Sequence, residues 1–312
     1  MIIVLILIIL MILSVVILLG MYCLAFYSRE KGRKENIYNI PSSPQYQPGR
    51  ERMRRLIEEM DAIPCQRVNI VSRDGVPLSA RYYHSSDSAP LAIMVHGYRG
   101  SAIRDFCGGG QISVQQGHNV LLVDQRANGA SGGRTITFGV RERYDVLDWI
   151  DYALQRFGKD VPIALYGVSM GAATVLMVSG MDETPDNVRG VVADCPYSSP
   201  EAIIRKVATK DLHLPACPSM ALLRLSARLF GGFSIRDASA VEAVKRAKVP
   251  VLIIHGEDDR FVPCDMSREI CAANPERVQL ETFPGAGHGL SYIVDTERYI
   301  SAVIGFEKKI LR

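Results

Sequence analysis

The sequence lacks a charge excess of either sign: 36 lysines and arginines against 33 aspartates and glutamates leave a formal net charge of +3 over 312 residues. Its basic side chains are spread rather than striped, which leaves no electrostatic footprint for nucleic acid. A pairable set of cysteines is also missing. The seven (Cys23, Cys65, Cys107, Cys195, Cys217, Cys264 and Cys271) are odd in number and irregular in spacing. Neither a disulfide framework nor a zinc site is indicated, and a reducing compartment fits best. No internal repeat or low-complexity tract is visible, so repeat architectures are excluded. What is present is 48% hydrophobic residues, enough for one large α/β domain with a modest appendage and too little chain for two full enzymatic domains.

A further absence is local. Residues 1–27 contain no charged side chain and are dominated by Ile, Leu, Val and Met. About 20 such residues, rising about 1.5 Å each, cross the ~30 Å hydrocarbon layer of a bilayer. Tyr22, Phe26 and Tyr27 are expected at the membrane interface, and Arg29, Lys31, Arg33 and Lys34 follow directly. A cleaved secretory signal calls for a basic n-region, a shorter apolar run and a small-x-small cleavage site, and none is seen. Residues 1–27 therefore read as an uncleaved single-pass anchor. The basic cluster on its C-terminal side predicts that the body of the protein is cytoplasmic.

Residues 28–48 are polar and hold Pro41, Pro44 and Pro48, the composition of a linker. Residues 49–312 are expected to form the folded domain. Met53, Leu56, Ile57 and Met60 recur at helical spacing, and a helix packed on its own domain is preferred to one lying on the bilayer. Residues 66–72 and 77–83 read as two strands joined by Arg73-Asp74-Gly75-Val76, a hairpin signal. Thereafter apolar strand candidates at 91–95, 119–124, 162–166, 190–194, 249–254 and 278–283 alternate with amphipathic segments. That alternation predicts a mostly parallel sheet covered by helices on both faces. About 54 residues separate the candidate strands ending at Asp194 and beginning at Val249, too many for a simple crossover. An insertion over about 196–247 is expected to be a helical cap. Its stripe of Leu222, Leu225 and Leu229 would favour acyl-like substrates.

The chemistry centres on Gly167-Val168-Ser169-Met170-Gly171, which follows an apolar run and precedes a run of small residues. Strand, sharp turn and helix in that order lift Ser169 above the sheet edge as a candidate nucleophile. The strand 91–95 ends in His96-Gly97-Tyr98-Arg99-Gly100, where glycines let backbone N–H groups converge. The N–H groups of Tyr98 and Met170 are the expected oxyanion-hole donors. His96 is expected to brace this loop. The strand 249–254 leads into His255-Gly256-Glu257-Asp258-Asp259-Arg260-Phe261-Val262-Pro263, where an acid could orient a catalytic histidine. Spacing alone leaves Glu257, Asp258 and Asp259 open, with Asp194 as an outside candidate. His288, within the glycine-rich Pro284-Gly285-Ala286-Gly287-His288-Gly289 after the last strand, is the histidine a flexible backbone can present to Ser169.

From about residue 64 to residue 310 these four motifs, in this order, resemble α/β-hydrolase fold proteins. The similarity is to the serine aminopeptidase (S33)/monoglyceride-lipase-like branch, and to bacterial membrane-anchored members of it. The resemblance implies an α/β-hydrolase fold and a triad in the chain order Ser, Asp, His. The family's H-G-x-x-D-x-x-V-P pattern falls on Asp259. The implied activity is that of a serine hydrolase cleaving carboxylic esters through an acyl-enzyme, needing neither cofactor nor metal. Its expected partners are a small-molecule acyl ester or peptide and the membrane. Cleavage of a peptide's N-terminal residue or of a thioester are the alternatives on the same triad. For a peptidase, Glu201 or Asp211 could hold the free amine. A membrane-tethered scaffold without activity is the rival from outside enzymology. One departure is Asn128, which stands where relatives commonly carry a loop-supporting histidine.

Overall fold

The computed structural model describes residues 1–28 and 38–311. The expected basic cluster Arg29, Lys31, Arg33 and Lys34 lies outside them. Helix α1 (Ile2–Ala25) is followed by a 3-10 turn (Pro44–Tyr46), α2 (Arg50–Ala62), β1 (Gln66–Val71), β2 (Pro77–Tyr83) and β3 (Leu91–Val95). Next come α3 (Ala102–Asp105), α4 (Gly109–Gln115), β4 (Asn119–Asp124), α5 (Glu142–Phe157), β5 (Ile163–Val168), α6 (Met170–Ser179) and β6 (Val188–Asp194). The long insertion carries α7 (Pro200–Lys206), α8 (Ala216–Ser226) and α9 (Ala240–Val244), with single π-helical turns at Val207–Asp211 and Ala227–Gly231. The chain ends with β7 (Val251–Gly256), α10 (Cys264–Ala273), β8 (Val278–Phe283), α11 (Ser291–Val294) and α12 (Thr296–Ile310).

The eight strands form one sheet in the order β1-β2-β4-β3-β5-β6-β7-β8. The first two pair antiparallel across Gly75, which turns the hairpin at φ 85°; β2 also runs antiparallel to β4, and β4 through β8 are parallel. Successive side chains of a strand point to opposite faces, so the continuously apolar strands serve two cores. Ile93, Val95, Leu121, Val123 and Leu165 meet α5, α6 and α10 on one face. Met94, Leu122, Tyr166, Leu252 and Ile254 meet α2, α4 and α12 on the other. Helix α2 packs on this second face through Met53, Ile57 and Met60, all buried.

A third cluster lies above the strands' C-terminal ends. It joins the cap residues Ile203, Met220, Leu223 and Phe233 to Phe138, to Met170, and to Tyr22 and Phe26 from the end of the N-terminal helix. The sequence pattern expects both aromatics at a lipid–water interface. Instead Phe26 is fully enclosed by protein and Tyr22 is 7% exposed. Aromatic belts and aromatic core residues are the same side chains at the same spacing, so only the docking of the helix separates them. The leucine stripe needs a second correction. Helix α8 buries Met220 and Leu223, whereas Leu225 and Leu229 point outward. Residues 38–48, polar in composition, lie against the domain, with Ile40 and Tyr46 buried.

Candidate active site

The turn between β5 and α6 is shaped by what its glycines leave out. A Cβ on Gly167 would lie 2.3 Å from the Gly171 carbonyl oxygen, and one on Gly171 would lie 1.8 Å from that of Val95. Only hydrogen at both positions lets α6 start directly over β3 and β5. Ser169 is then held at φ 55°, ψ −112°, a backbone state that costs a non-glycine residue about 1–3 kcal/mol and persists where surrounding structure enforces it. Its N–H donates to the Asp194 carbonyl at 2.8 Å, which pins the turn to the end of β6.

His288 reaches Ser169 from the loop after β8, where Gly285 and Gly289 adopt φ 75° and 63°. Its Nε2 lies 2.9 Å from Ser169 Oγ, and its Nδ1 lies 2.7 Å from Asp259 Oδ2. The ring is set edge-on to Phe261 with centroids 5.1 Å apart. Asp259 is buried, and its Oδ1 accepts the backbone N–H groups of Phe261 (2.8 Å) and Val262 (2.9 Å). Burial opposes its negative charge, but the His288 and His255 imidazoles outweigh that and hold the carboxyl well below the usual carboxylate range. Neither neighbouring acid is hydrogen-bonded to His288. Glu257 accepts from Thr282 Oγ1 at 2.7 Å, and Asp258 is exposed.

Asp194, the outside candidate, is also buried, but its Oδ2 accepts from Tyr299 at 3.1 Å and its Oδ1 has no hydrogen-bond partner. Burial pushes its carboxyl up to about 6. His255 is buried between Ser267 Oγ (2.6 Å) and the Val262 carbonyl (2.9 Å), with its Nε2 also 3.3 Å from Asp259 Oδ2, so it braces the carboxylate and does not reach Ser169. His96 braces its loop as its position suggests: Nδ1 donates to the Gly97 carbonyl at 2.8 Å and Nε2 accepts the Gln125 N–H at 3.1 Å. Asn128, buried in the next loop, donates to the Arg126 carbonyl two residues back at 2.9 Å, and its Oδ1 has no hydrogen-bond partner.

Among the described residues, neither the Tyr98 nor the Met170 N–H has a hydrogen-bond acceptor within the protein. Met170 is the first residue of α6, where N–H groups have no intrahelical partner and the helix dipole favours negative charge. Cys195, Asp259 and His288 bring a thiol, a carboxylate and an imidazole within 4.8 Å of one another. Burial holds the Cys195 thiol well above its usual range. A neutral thiol beside two groups already bonded to each other is a poor metal site.

Ser169 and His288 open into a cavity of about 780 Å³, whose apolar lining includes Ile40, Tyr46, Val168, Phe261 and Tyr292. The cap's leucines do not line it. Composition hides part of this wall, because Ile40, Tyr46 and Gln45 belong to a stretch that reads as linker. Gln45 Oε1 accepts the His288 N–H at 3.2 Å. Ile40 and Tyr46, apolar side chains in a largely polar, proline-rich tract, are the signal that could have placed it. Glu201 faces away from this cavity, among Arg205, Arg224 and Arg236, which hold its carboxyl down at about 2. Asp211 does line the cavity, paired with Lys206 at 2.8 Å.

An eight-stranded, mostly parallel sheet with a serine on a strained strand-to-helix turn defines a class, and the family model described as the alpha/beta hydrolase family matches residues 92–302. The chain belongs to that family. Among curated proteins it is similar to the uncharacterized protein YqkD of Bacillus subtilis, 27% identical over 190 residues that make up 61% of this chain. The chain spans 62% of the length of that relative. Among solved structures it is similar to the esterase Pf2001 of Pyrococcus furiosus, with a TM-score of 0.65 and 23% identity over 82% of this chain and 94% of that one. It is also similar to Est1E from Butyrivibrio proteoclasticus, solved with ferulic acid bound, with a TM-score of 0.62 and 22% identity over 78% of this chain and 99% of that one. At such identities the likeness is one of fold.

Proposed function

We propose that this chain is a serine hydrolase that cleaves carboxylic esters through an acyl-enzyme on Ser169. The observation that carries the proposal is the unbroken relay from Asp259 Oδ2 through His288 to Ser169 Oγ, at 2.7 and 2.9 Å. His288 Nε2 takes the Ser169 proton as Oγ attacks the ester carbonyl, and the N–H groups of Tyr98 and Met170 hold the resulting oxyanion. Asp259 keeps Nδ1 protonated and stabilises the imidazolium. His288 then passes the proton to the departing alcohol and activates water to release the acid. The ester preference is supported by the aliphatic and aromatic part of the cavity wall beside Ser169, which elsewhere carries Arg99, Arg104, Asp105 and Arg260, and by the esterases among the chain's structural neighbours.

The aminopeptidase alternative loses one amine holder, since Glu201 is committed to three arginines away from the cavity. Asp211, bound to Lys206, is the acid left to it. The branch assignment, serine aminopeptidase and monoglyceride-lipase-like, rests on the motif pattern. The anchor at 1–27 and the cytoplasmic placement of the domain are part of the same proposal. The anchor is supported by a 24-residue helix that contains an 18-residue stretch of mean hydropathy 3.8, and the cytoplasmic placement rests on the basic residues that follow it in the sequence. The test presents the full chain in detergent with nitrophenyl esters of increasing chain length, the matching thioesters and aminoacyl anilides. Ester turnover with a length optimum is expected. Turnover of anilides or thioesters alone overturns the ester assignment.

A further inference from the structure

The end of the N-terminal helix is bonded to the loop that carries one of the two expected oxyanion donors. Tyr98 donates its hydroxyl to the Ala25 carbonyl at 2.9 Å, and the Arg99 guanidinium donates to the carbonyls of Leu24 (2.9 Å) and Tyr27 (3.0 Å). The Leu24 and Ala25 acceptors lie in the last turn of α1, where carbonyls lack intrahelical partners and a cation complements the dipole. Rings extend the contact inward. Tyr98 stacks on Phe138 at 4.9 Å and 28°, Phe138 meets Phe26 edge-on at 5.9 Å, and Phe26 meets Phe233 edge-on at 5.3 Å.

Backbone hydrogen bonds fix the segment in register. The Ile136 N–H donates to the Phe26 carbonyl and the Ser28 N–H to that of Arg134, both at 2.8 Å. On its other flank the loop is tied by Gly97 N–H to Asp105 (2.7 Å) and by Gly100 N–H to Gly97 (3.1 Å). Both side chains beside the donor are therefore committed to residues 22–28. Arg99 additionally sits at φ 48° with its guanidinium 4.9 Å from the Tyr98 ring centroid, so the loop is held out of its relaxed conformation. Met170, whose N–H is the other expected donor, buries its side chain in the same cluster as Tyr22 and Phe26.

We propose that residues 22–28, where α1 ends, are a positioning element for the oxyanion site. By gripping Tyr98 and Arg99 they aim the Tyr98 N–H at the space beside Ser169, so the helix that would enter the bilayer is mechanically part of the catalytic domain. This rests on the serine hydrolase proposal. The helix end touches no substrate and acts through Tyr98. Its influence falls on the transition state, where the donor is used, rather than on ground-state binding.

The test measures kcat and KM for one nitrophenyl ester with the full chain in detergent, normalised to folded protein by near-ultraviolet circular dichroism. Tyr98→Phe removes one oxygen and leaves the N–H and the ring in place. It is expected to lower kcat about 5- to 10-fold with KM held within about twofold, short of the 10²–10³ that follows complete loss of a donor. Phe26→Ala is expected to lower kcat about 10- to 100-fold, the scale of a misplaced catalytic group, with Phe26→Leu restoring part of it. Variants that unfold more easily yet keep the wild-type kcat per folded molecule would overturn the positioning role. So would a loss confined to KM. A wild-type chain that turns over no ester refutes the hydrolase proposal itself and this inference with it, and that outcome is distinct from an active wild type with undiminished variants.

Discussion

Replacing Asp259 by asparagine is the sharpest perturbation of the proposed relay, because the structure dictates how the new amide must sit. Oδ1 of Asp259 accepts two backbone N–H groups, from Phe261 and Val262. An asparagine that turned its NH₂ toward them would strand two buried donors at about 1–3 kcal/mol each. At Oδ2 only His255 Nε2, at 3.3 Å and already donating to the Val262 carbonyl, presents a hydrogen, so the oxygen stays at the Oδ1 position with its two donors and the NH₂ takes the place of Oδ2, 2.7 Å from His288 Nδ1. A donor now faces Nδ1, so the neutral ring must carry its proton on Nε2, the nitrogen 2.9 Å from Ser169 Oγ. In that tautomer His288 cannot accept the serine proton, and the imidazolium loses its counter-charge. The expected fall in kcat is about 10⁴-fold, or about 5.5 kcal/mol in the barrier. The assay is steady-state hydrolysis of a nitrophenyl ester by the full chain in detergent, with Asp258→Asn alongside. Exposed Asp258 makes no contact with the relay, so its variant should match the wild type. An Asp259→Asn enzyme within about tenfold of wild type, or a larger loss in Asp258→Asn, would refute the reasoning.

Two further predictions follow from the same geometry. Gly171→Ala places a methyl group 1.8 Å from the Val95 carbonyl oxygen, so the variant is expected to yield no natively folded protein, checked by expression yield and circular dichroism. Asp194 is buried, and burial raises its carboxyl from 3.8 to about 6. The folded state then holds a proton that the unfolded chain releases between about pH 4 and 6. Stability falls as pH rises through that window, by about 3 kcal/mol at about 1.4 kcal/mol per unit. Urea denaturation should show this decline in the wild type and its absence in Asp194→Asn, while ester turnover changes by less than about tenfold because Asp194 does not orient His288.

The sheet was legible in the sequence because its signal is local. Strands β2, β3, β4 and β8 begin and end where composition places them, since turn-formers interrupt apolar runs there. Strands β5 and β7 run two residues beyond the expected ends, through Gly167-Val168 and His255-Gly256, because glycines that read as a turn continue the ladder up to the site. The residues of the relay were legible for a similar reason: each follows a strand, and a motif supplies its neighbours. What the sequence could not display were contacts between distant segments. Residues 38–48 look like linker because most of them are polar or proline and only Ile40 and Tyr46 are buried. Leu222, Leu225 and Leu229 make a convincing stripe, yet the cap buries the adjacent face through Met220 and Leu223, and no local rule chooses between two apolar faces of one helix. Phe26 and Tyr22 carry the same ambiguity between lipid and core.

The central claim is that Ser169 is the nucleophile, and one measurement addresses it directly: labelling the full chain with a fluorophosphonate and locating the modified residue by peptide mass spectrometry. The expected result is a single phosphonylated peptide bearing the adduct on Ser169, with labelling and ester hydrolysis both abolished in Ser169→Ala. An adduct on another residue, or ester hydrolysis that survives Ser169→Ala, would contradict the assignment.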